Sequence, residues 1–396
     1  MKLLDHIGRL YTGTARGVVE DAALVIEGER IAWVGTAATG PPEELRPHIE
    51  EEEGCGGALV TPGLIDAHTH PVYAGDRMAE IAQRSAGASY SDIAAMGGGI
   101  GATVAATRLA PAQELQVMVA GRLDAWLRGG TTTVEAKTGY HLERSGELEA
   151  VGILTELGLD STRPRIEPTF LGAHAVPPGS GADSFIGEVV EWCAPAAAAG
   201  ARFCDVFCDE GYFSVPQSRK VLAAGRQAGL IARIHADELA HSGGSRLAAD
   251  VGAQSADHLL FADEDDARAL AEADVVATLS PGTALTMGRM PPARTFLDAG
   301  MTLALATDHN PGTCGATSMS LVIALAVAAF GLSVDEALTA ATAGGARSLA
   351  LADRGTVEAG KLADLVVWDA EHEGAFAWSY GLAPLEVLLG GRAAGR

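Results

Sequence analysis

Two histidines separated by a single residue, His68 and His70, are the most specific chemical feature of the chain. In an extended strand, residues two apart point to the same face, so both imidazoles could reach one ion. The alternative is a pair of hydrogen-bonded structural histidines. Two other segments favour the metal, because His235 ends the run LIARIH and Asp308 ends the run TLALATD. Three histidines and an aspartate suit one divalent ion, Zn²⁺ or Fe²⁺, with a position left for water.

Glu238 and His258 are the candidate proton-transfer residues. Glu238 lies three residues after His235, where a strand should give way to a loop. A carboxylate beside an ion-activated water can accept a proton. His258 ends another short apolar run and could orient water or stabilise an oxyanion. The alternative for each is a hydrogen-bonded rim residue without a catalytic role, and Asp237 and Asp257 are predicted to support their neighbours.

The elements that carry these residues repeat one pattern, in which a short apolar run ends in polar or ionisable residues and a helical stretch follows. Strands that alternate with helices predict a parallel sheet. Eight such units predict an α/β fold with a TIM-like (β/α)8 barrel, whose chemistry lies at the carboxyl ends of the strands. The runs are LIDAHTH (64–70), TTTVEAK (131–137), RIEPTFLGAH (165–174), RFCDVFCD (202–209), LIARIHADE (230–238), QSADHL (254–259), VVATLSPG (275–282) and TLALATDHN (302–310).

The two ends of the chain are rich in β signals and flank this repeating middle. The stretch ALVIEGERIAWVG, which ends at Gly35, predicts a hairpin, and residues 355–369 read as strands around a glycine turn. We therefore expect a small β-sandwich domain formed by residues 1–60 and 355–396. The catalytic barrel is expected to span residues 61–354.

The amino-acid composition limits the classes of molecule that the protein is expected to bind. The 396 residues include 28 Lys and Arg against 51 Asp and Glu, a net charge of −23. Such a field repels nucleic acid and anionic lipid surfaces, so neither is an expected partner. Five cysteines do not suggest a disulfide framework, and the start of the chain has no apolar signal segment. The longest apolar stretch, 321–332, is too short to span a bilayer, and the cytoplasm is the expected location.

Eight stretches spread over nearly the whole chain carry a resemblance to a known family. They are GLIDAHTHPVYAGDR (63–77), GASYSDIAAMGGGIGATVAATR (87–108), TTTVEAKTGY (131–140), FLGAHAVP (170–177), HADE (235–238), SADHL (255–259), ATDHNPGT (306–313) and GKLADLVVWD (360–369). With these residues in this order, the chain resembles the imidazolonepropionase family of the amidohydrolase superfamily. The resemblance implies a hydrolase of histidine degradation that opens 4-imidazolone-5-propanoate with water to N-formimidoyl-L-glutamate.

The resemblance also implies roles for individual residues. The implied metal ligands are His68, His70, His235 and Asp308. The implied catalytic residues are Glu238, His258 and Asp308. Contact with substrate or product falls to Arg77, Tyr140, His174, Glu238, Asn310, Gly312 and Thr313. Arg77 suits a substrate with a carboxylate tail, because a guanidinium binds carboxylate bidentately. One divalent ion, zinc or iron, and a homodimer are implied as well.

Two rival functions differ from this one in chemistry. A heterocycle deaminase would share the ligands but release ammonia, and a non-catalytic scaffold on the same barrel would usually have lost metal ligands. The superfamily's modified lysine, which bridges two metals, belongs on the fourth strand, where this chain has Asp209. One ion is therefore expected. The sequence departs from the family pattern at His141, where glycine is usual, and in residues 280–288, which lack the expected aromatic residues.

Overall fold

The computed structural model describes residues 1–87 and 98–395, which form two separate sheets of eight strands each. Residues 88–97, which include part of the motif at 87–108, lie outside the described residues. One sheet combines strands from both ends of the chain. The other is built from the eight predicted runs.

The terminal sheet has strands β1 to β5 near the amino terminus and β14 to β16 near the carboxyl terminus. They are Lys2–Tyr11, Val18–Glu27, Arg30–Thr36, Glu51–Gly54, Leu59–Pro62, Leu365–Trp368, Pro384–Leu389 and Arg392–Ala394. β2 and β3 form the predicted antiparallel hairpin. The two ends of the chain meet where β14 pairs antiparallel with β5. This confirms that both termini share one β unit, while the domain boundaries stay a prediction.

The second sheet is the predicted barrel. Its strands, β6 to β13, are parallel and neighbour one another in chain order: Leu64–Asp66, Thr131–Lys137, Arg165–Ala173, Phe203–Cys208, Ile231–Ala236, Ser255–His258, Val276–Leu279 and Leu303–Leu305. The segments that follow the first and last strands meet through an isolated parallel bridge between Thr69 and His309. All eight runs are therefore strands, and the (β/α)8 architecture is confirmed.

Helices follow the strands and cover the outside of the barrel. Helices α1 to α14 are Met78–Ser85, Ile100–Leu109, Ala112–Arg128, Arg144–Leu157, Ala182–Ala198, Val215–Gln227, Gly244–Val251, Glu264–Glu272, Pro281–Met287, Ala293–Asp298, Met319–Phe330, Val334–Thr339, Gly345–Ser348 and Ala375–Trp378. A 3₁₀ turn, Arg46–His48, and a π-helical turn, Ala340–Gly344, complete the set. Within the described ranges, no helix is both long and apolar enough to cross a membrane.

Side-chain alternation along the strands decides what the barrel encloses. In β9, Cys204 and Val206 pack against the helices in the main apolar core. Asp205, between them, lies inside the barrel and is fully buried. This period of two is the ordinary consequence of an extended backbone. It allows the strands to bury a helix-facing apolar surface and still supply polar side chains to the interior.

Candidate metal centre and active site

The structure brings the four predicted metal ligands, named here the donor cluster, close together at the carboxyl ends of the strands. His68 and His70 follow β6, His235 lies in β10, and Asp308 follows β13; all four are buried. Nε2 of His70 lies 3.1 Å from Nε2 of His68 and 3.4 Å from Nε2 of His235. Oδ1 of Asp308 lies 3.5 Å and 3.4 Å from Nε2 of His68 and His70.

The arrangement of these donor atoms suits a divalent cation between them better than direct contacts with one another. Imidazole nitrogens that face each other need a proton or a cation between them, and burial disfavours the protonated form. Desolvation lowers the pKa of His70 to about 4 and that of His68 well below its usual range. Both rings are therefore neutral at physiological pH, which is the form that binds metal. Nδ1 of His70 has no hydrogen-bond partner among the described residues.

A carboxylate behind the ligands orients one of the rings, and a second carboxylate lies beside another. Nδ1 of His68 is hydrogen-bonded to Oδ2 of Asp257 at 2.6 Å. Nδ1 of His235 lies 3.1 Å from Oδ2 of Asp205 without a hydrogen bond among the described residues. A carboxylate on Nδ1 favours the proton there and directs the Nε2 lone pair toward the ion. The supporting role predicted for Asp257 is thus seen in the structure. Asp205 was missed, although its inward position in β9 could have indicated it.

Two buried cations hold these carboxylates. Nζ of Lys137 donates to Asp205 at 2.7 Å and to Glu135 at 2.9 Å, and Nη2 of Arg233 donates to Asp257 at 3.1 Å. Burial works against the charge on Lys137, but Asp205 and Glu135 outweigh it, and the pKa of the ammonium is raised. Lys137 therefore stabilises the layer beneath the donor cluster as a cation.

Replacing Lys137 with methionine is expected to lower the free energy of unfolding by about 3–5 kcal/mol, because it leaves buried carboxylates without their cation. Reversible urea unfolding of the chelator-treated protein would measure this change without a contribution from metal binding. The matched control is Lys220→Met on the exposed surface of α6, which should change stability by no more than about 0.5 kcal/mol. Equal effects of both substitutions would contradict the buried ion-pair layer.

Glu238 and His258 lie together beside the donor cluster, as predicted. Oε2 of Glu238 is 3.7 Å from Nε2 of His258. Burial, followed by the charge of Asp308, raises the pKa of Glu238 to about 8. A carboxyl group with a raised pKa can hold and release a proton near neutral pH. His258 also lies close enough to His68 and His235 for their nitrogen atoms to form a second possible donor group.

The loop that presents Glu238 is held by Asp209. Its Oδ2 accepts hydrogen bonds from the backbone N–H groups of Glu238 at 2.7 Å and Leu239 at 2.8 Å. Asp237 holds the following segment, because its carboxylate accepts the backbone N–H groups of residues 242–245. Both aspartates position the loop and lie outside the donor cluster.

Asp308 is held in place by a residue from outside the strands. The hydroxyl of Thr283, in α9, donates to its Oδ2 at 2.6 Å and leaves Oδ1 toward the histidines. Thr283 belongs to the stretch 280–288 that departs from the family pattern, and sequence reasoning missed it. Asp308 and His258 both have positive φ angles, +49° and +76°. Such strain in non-glycine residues is typical of functional sites.

The predicted substrate-side residues line one cavity with the donor cluster. Its volume is about 620 Å³. The lining includes the metal-ligand candidates His70, His235 and Asp308, the proton-transfer candidates Glu238 and His258, and the substrate candidates Arg77, Tyr140, His174, Asn310, Gly312 and Thr313. Of the predicted site residues, His68 alone is not part of this lining, because it lies deeper.

Arg77 is paired with a carboxylate from the first turn of α1. Its Nε and Nη2 donate to Oε2 of Glu80 at 2.8 Å and 2.7 Å. Gly312 lies against the guanidinium so closely that a Cβ atom there would overlap Nη1 of Arg77. A larger residue at 312 would require the guanidinium to move from its observed position.

Asn310 shapes the loop that carries Gly312 and Thr313. Its Oδ1 accepts from the backbone N–H groups of Gly312 and Thr313, and its Nδ2 donates to the carbonyl of Asp308 and the hydroxyl of Thr313. These four bonds use the hydrogen-bonding capacity of the amide. The predicted contact of Asn310 with substrate therefore stays a prediction.

The loop that carries Tyr140 is held by Glu147, which sequence reasoning missed. Its carboxylate accepts the backbone N–H groups of Gly139 and His141 at 2.8 Å each and Leu142 at 2.9 Å. His141, the second departure from the family pattern, is buried against Gly146, where a Cβ would overlap the imidazole ring. The larger side chain is thus accommodated by a glycine on α4 and does not block the cavity.

Comparison with known proteins agrees with the family resemblance described from the sequence. The amidohydrolase family model matches residues 213–392. The chain is 42% identical over 395 residues to the imidazolonepropionase of Cereibacter sphaeroides, which covers 98% of each chain. It is 41% identical over 385 residues to the imidazolonepropionase of Shouchella clausii, which covers 94% of this chain and 85% of that protein.

A solved structure supports the fold independently of close sequence similarity. An adenosine deaminase from Xanthomonas campestris with bound zinc superposes with a TM-score of 0.72 at 19% identity, and the alignment covers 99% of this chain and 92% of that one. At this identity, the likeness concerns the fold alone. Because relatives above 40% identity match nearly the full length, the chain belongs to the imidazolonepropionase family of the amidohydrolases.

Proposed function

We propose that this protein hydrolyses the ring of 4-imidazolone-5-propanoate to N-formimidoyl-L-glutamate, a step of histidine degradation. The observation that carries the proposal is that the His/Asp donor cluster, Glu238 and Arg77 meet in one cavity. The donor cluster and Glu238 suit attack by water on a carbonyl carbon, and Arg77 suits a carboxylate tail. The substrate of this reaction has both a ring carbonyl and a propionate.

His68, His70, His235 and Asp308 would hold one divalent ion, zinc or iron. When bound, the ion would make a water molecule more acidic and place positive charge beside the ring carbonyl. Asp257 orients the imidazole of His68, Asp205 lies beside that of His235, and Thr283 orients Asp308. The protein thus presents preformed ligands whose orientation does not depend on the substrate.

The protein's own residues then carry the proton. Water adds to the ring carbonyl carbon, the bond from that carbon to the adjacent ring nitrogen breaks, and the nitrogen takes up a proton. Glu238 accepts the proton of the attacking water and delivers it to the departing nitrogen. His258, 3.7 Å from Glu238, donates to the developing oxyanion. The single product contains every atom of the substrate and of the added water, and no ammonia is released.

The test is a direct assay of the purified protein with imidazolonepropionate. We expect the ring absorbance to disappear and N-formimidoyl-L-glutamate to appear by mass spectrometry, without ammonia. Release of ammonia would indicate a heterocycle deaminase. A protein that contains metal but leaves the substrate unchanged would overturn the proposal.

Replacing Arg77 with methionine is expected to lower kcat/KM for imidazolonepropionate by about one to two orders of magnitude, since a hydrogen bond to a charged group contributes about 1.5–3 kcal/mol. Metal content should not change. A ring analogue without the propionate should be turned over almost as well as by the wild type. Steady-state kinetics with the two substrates measure the difference.

Two controls separate carboxylate binding from a structural role of Arg77. Glu80→Gln removes the charge of its ion-pair partner and leaves the guanidinium in place. If the Arg77→Met loss came only from the broken pair, Glu80→Gln would reproduce it. Arg268→Met, on an exposed helix face, should leave kcat/KM unchanged. Equal losses of Arg77→Met on both substrates would contradict the proposed contact.

We further propose that the protein is a homodimer in the cytoplasm and that neither nucleic acid nor membrane is a partner. The support is the resemblance for the dimer and the net charge of −23 for the absence of polyanion binding. Light scattering after size-exclusion chromatography would give the mass of the assembly. A monomer at micromolar concentration would contradict the dimer.

A further inference from the structure

A second arginine, Arg84, lies beside Arg77 in the cavity. α1 begins after Arg77 and carries Glu80 in its first turn and Arg84 in its last. Arg77 is the N-cap of this helix, and its guanidinium is paired with Glu80 of the first turn. Arg77 and Arg84 both contribute to the cavity lining.

Both guanidinium groups contact the same residue. Nη2 of Arg84 donates to the carbonyl oxygen of Gly312 at 2.6 Å. Nη1 of Arg77 occupies the space that a side chain at position 312 would need. Gly312 therefore lies between two guanidinium groups at the end of the cavity formed by α1 and the loop after β13.

Within the described residues, this group contains two guanidinium groups and one carboxylate. Oε2 of Glu80 accepts from Arg77, and its Oε1 accepts from the backbone N–H of Gly99 at 2.9 Å. Counted over Arg77, Glu80 and Arg84 alone, the formal charge is +1. Arg77 and Glu80 alone would be neutral and would attract an anion only weakly. With a ligand carboxylate bound, the two guanidinium groups would face two carboxylates, that of Glu80 and that of the ligand.

We propose that Arg84 is a specificity-determining residue that, together with Arg77, binds the carboxylate tail of the substrate. The inference rests on the proposed function and extends it, because it adds a second guanidinium group, that of Arg84, to the carboxylate subsite. An arginine has several N–H donors, so one bond to the Gly312 carbonyl leaves others for a ligand. Glu80 links Arg77 to the backbone at the start of α2, and the Gly312 carbonyl holds Arg84.

The test compares a carboxylate probe with its uncharged counterpart. The probes are 3-(imidazol-4-yl)propionate and its primary amide, which differ only in the charge of the tail. Binding of each to the metal-loaded protein is measured by isothermal titration calorimetry. For Arg84→Gln we expect the affinity for the acid to fall about 10- to 100-fold, the range of a lost charge-assisted hydrogen bond. The affinity for the amide should change much less, and Arg84→Lys should restore part of the preference for the acid.

A structural role would give another pattern. If Arg84 only held the Gly312 carbonyl, the acid and the amide would lose affinity equally, and the inference would be overturned. Arg226→Gln is the matched control, since this exposed arginine also donates to one backbone carbonyl, that of Val251, outside the cavity. It should leave both affinities unchanged.

Failure of the inference can be told from failure of the proposed function. A wild-type protein that turns over imidazolonepropionate, with an Arg84→Gln variant that still prefers the acid, overturns only the role of Arg84. A wild-type protein that does not turn over the substrate, yet prefers the acid through Arg84, overturns only the reaction. If Arg84→Gln keeps both the preference for the acid and the turnover of the substrate, Arg77 alone binds the carboxylate.

Discussion

Replacing Glu238 with glutamine should lower kcat by about 10²–10⁴-fold, the usual contribution of a general acid–base residue. Glutamine keeps the size of the side chain and cannot carry the proton. The backbone of residue 238 is held by Asp209, so the loop should keep its position. Metal content and the affinity for a non-reacting ligand should therefore stay near the wild-type values. Steady-state kinetics, elemental analysis and ligand titration together check this result.

The outcome also apportions proton transfer among the neighbouring groups. A near-normal kcat with intact metal would contradict the role of Glu238 and assign it to His258 or Asp308. Glu272→Gln, on the exposed side of α8, makes the same chemical change away from the cavity and should leave kcat unchanged. A decrease in this control would indicate a general effect of charge on the protein.

Replacing His235 with alanine should remove most of the bound metal and the activity with it. The wild-type protein should hold about one divalent ion per chain, since the predicted nitrogen and oxygen ligands lie together at one end of the barrel. Without His235, three of the four donor residues remain and the site is incomplete. Elemental analysis should detect the loss directly. Because metal binds the folded state, chelation should lower the Tm of the wild type and hardly change the Tm of the variant.

A second histidine provides the control for this experiment. His241 lies at the surface, 2.8 Å from Oδ2 of Asp266, in a cluster that could also reach an ion. His241→Ala should leave both metal content and activity unchanged. Loss of the metal in His241→Ala, or active wild-type protein without metal, would contradict the assignment of the site. Two ions per chain would contradict the single-ion prediction alone.

Several features of the site could be predicted because they depend on short-range pattern. The spacing of His68 and His70 needs only the period of a strand, and the ends of the eight runs locate His235 and Asp308. A parallel barrel brings the carboxyl ends of its strands together, so residues far apart in the chain become neighbours by a rule of topology. The donor cluster follows from these two regularities without knowledge of any side-chain contact.

The partners of these residues depended on tertiary structure. His68 and Asp257 are separated by 189 residues, and neither strand alone indicates which carboxylate will face which imidazole. Thr283 reaches Asp308 from a helix, and Glu147 holds the Tyr140 loop through backbone N–H groups. Such contacts depend on how the barrel strands, the helices and the loops pack together, and no periodic pattern in the sequence encodes them.

The carboxylate end of the cavity illustrates the same division. The family resemblance identified Arg77, but the sequence did not indicate that Glu80 would pair with it or that Arg84 would contact Gly312. The residue types and spacings of this chain therefore determined the barrel and predicted the ion ligands and the class of chemistry. Tertiary structure alone decided the charge balance around them, because pairing energies depend on distances and burial that arise only when distant segments meet.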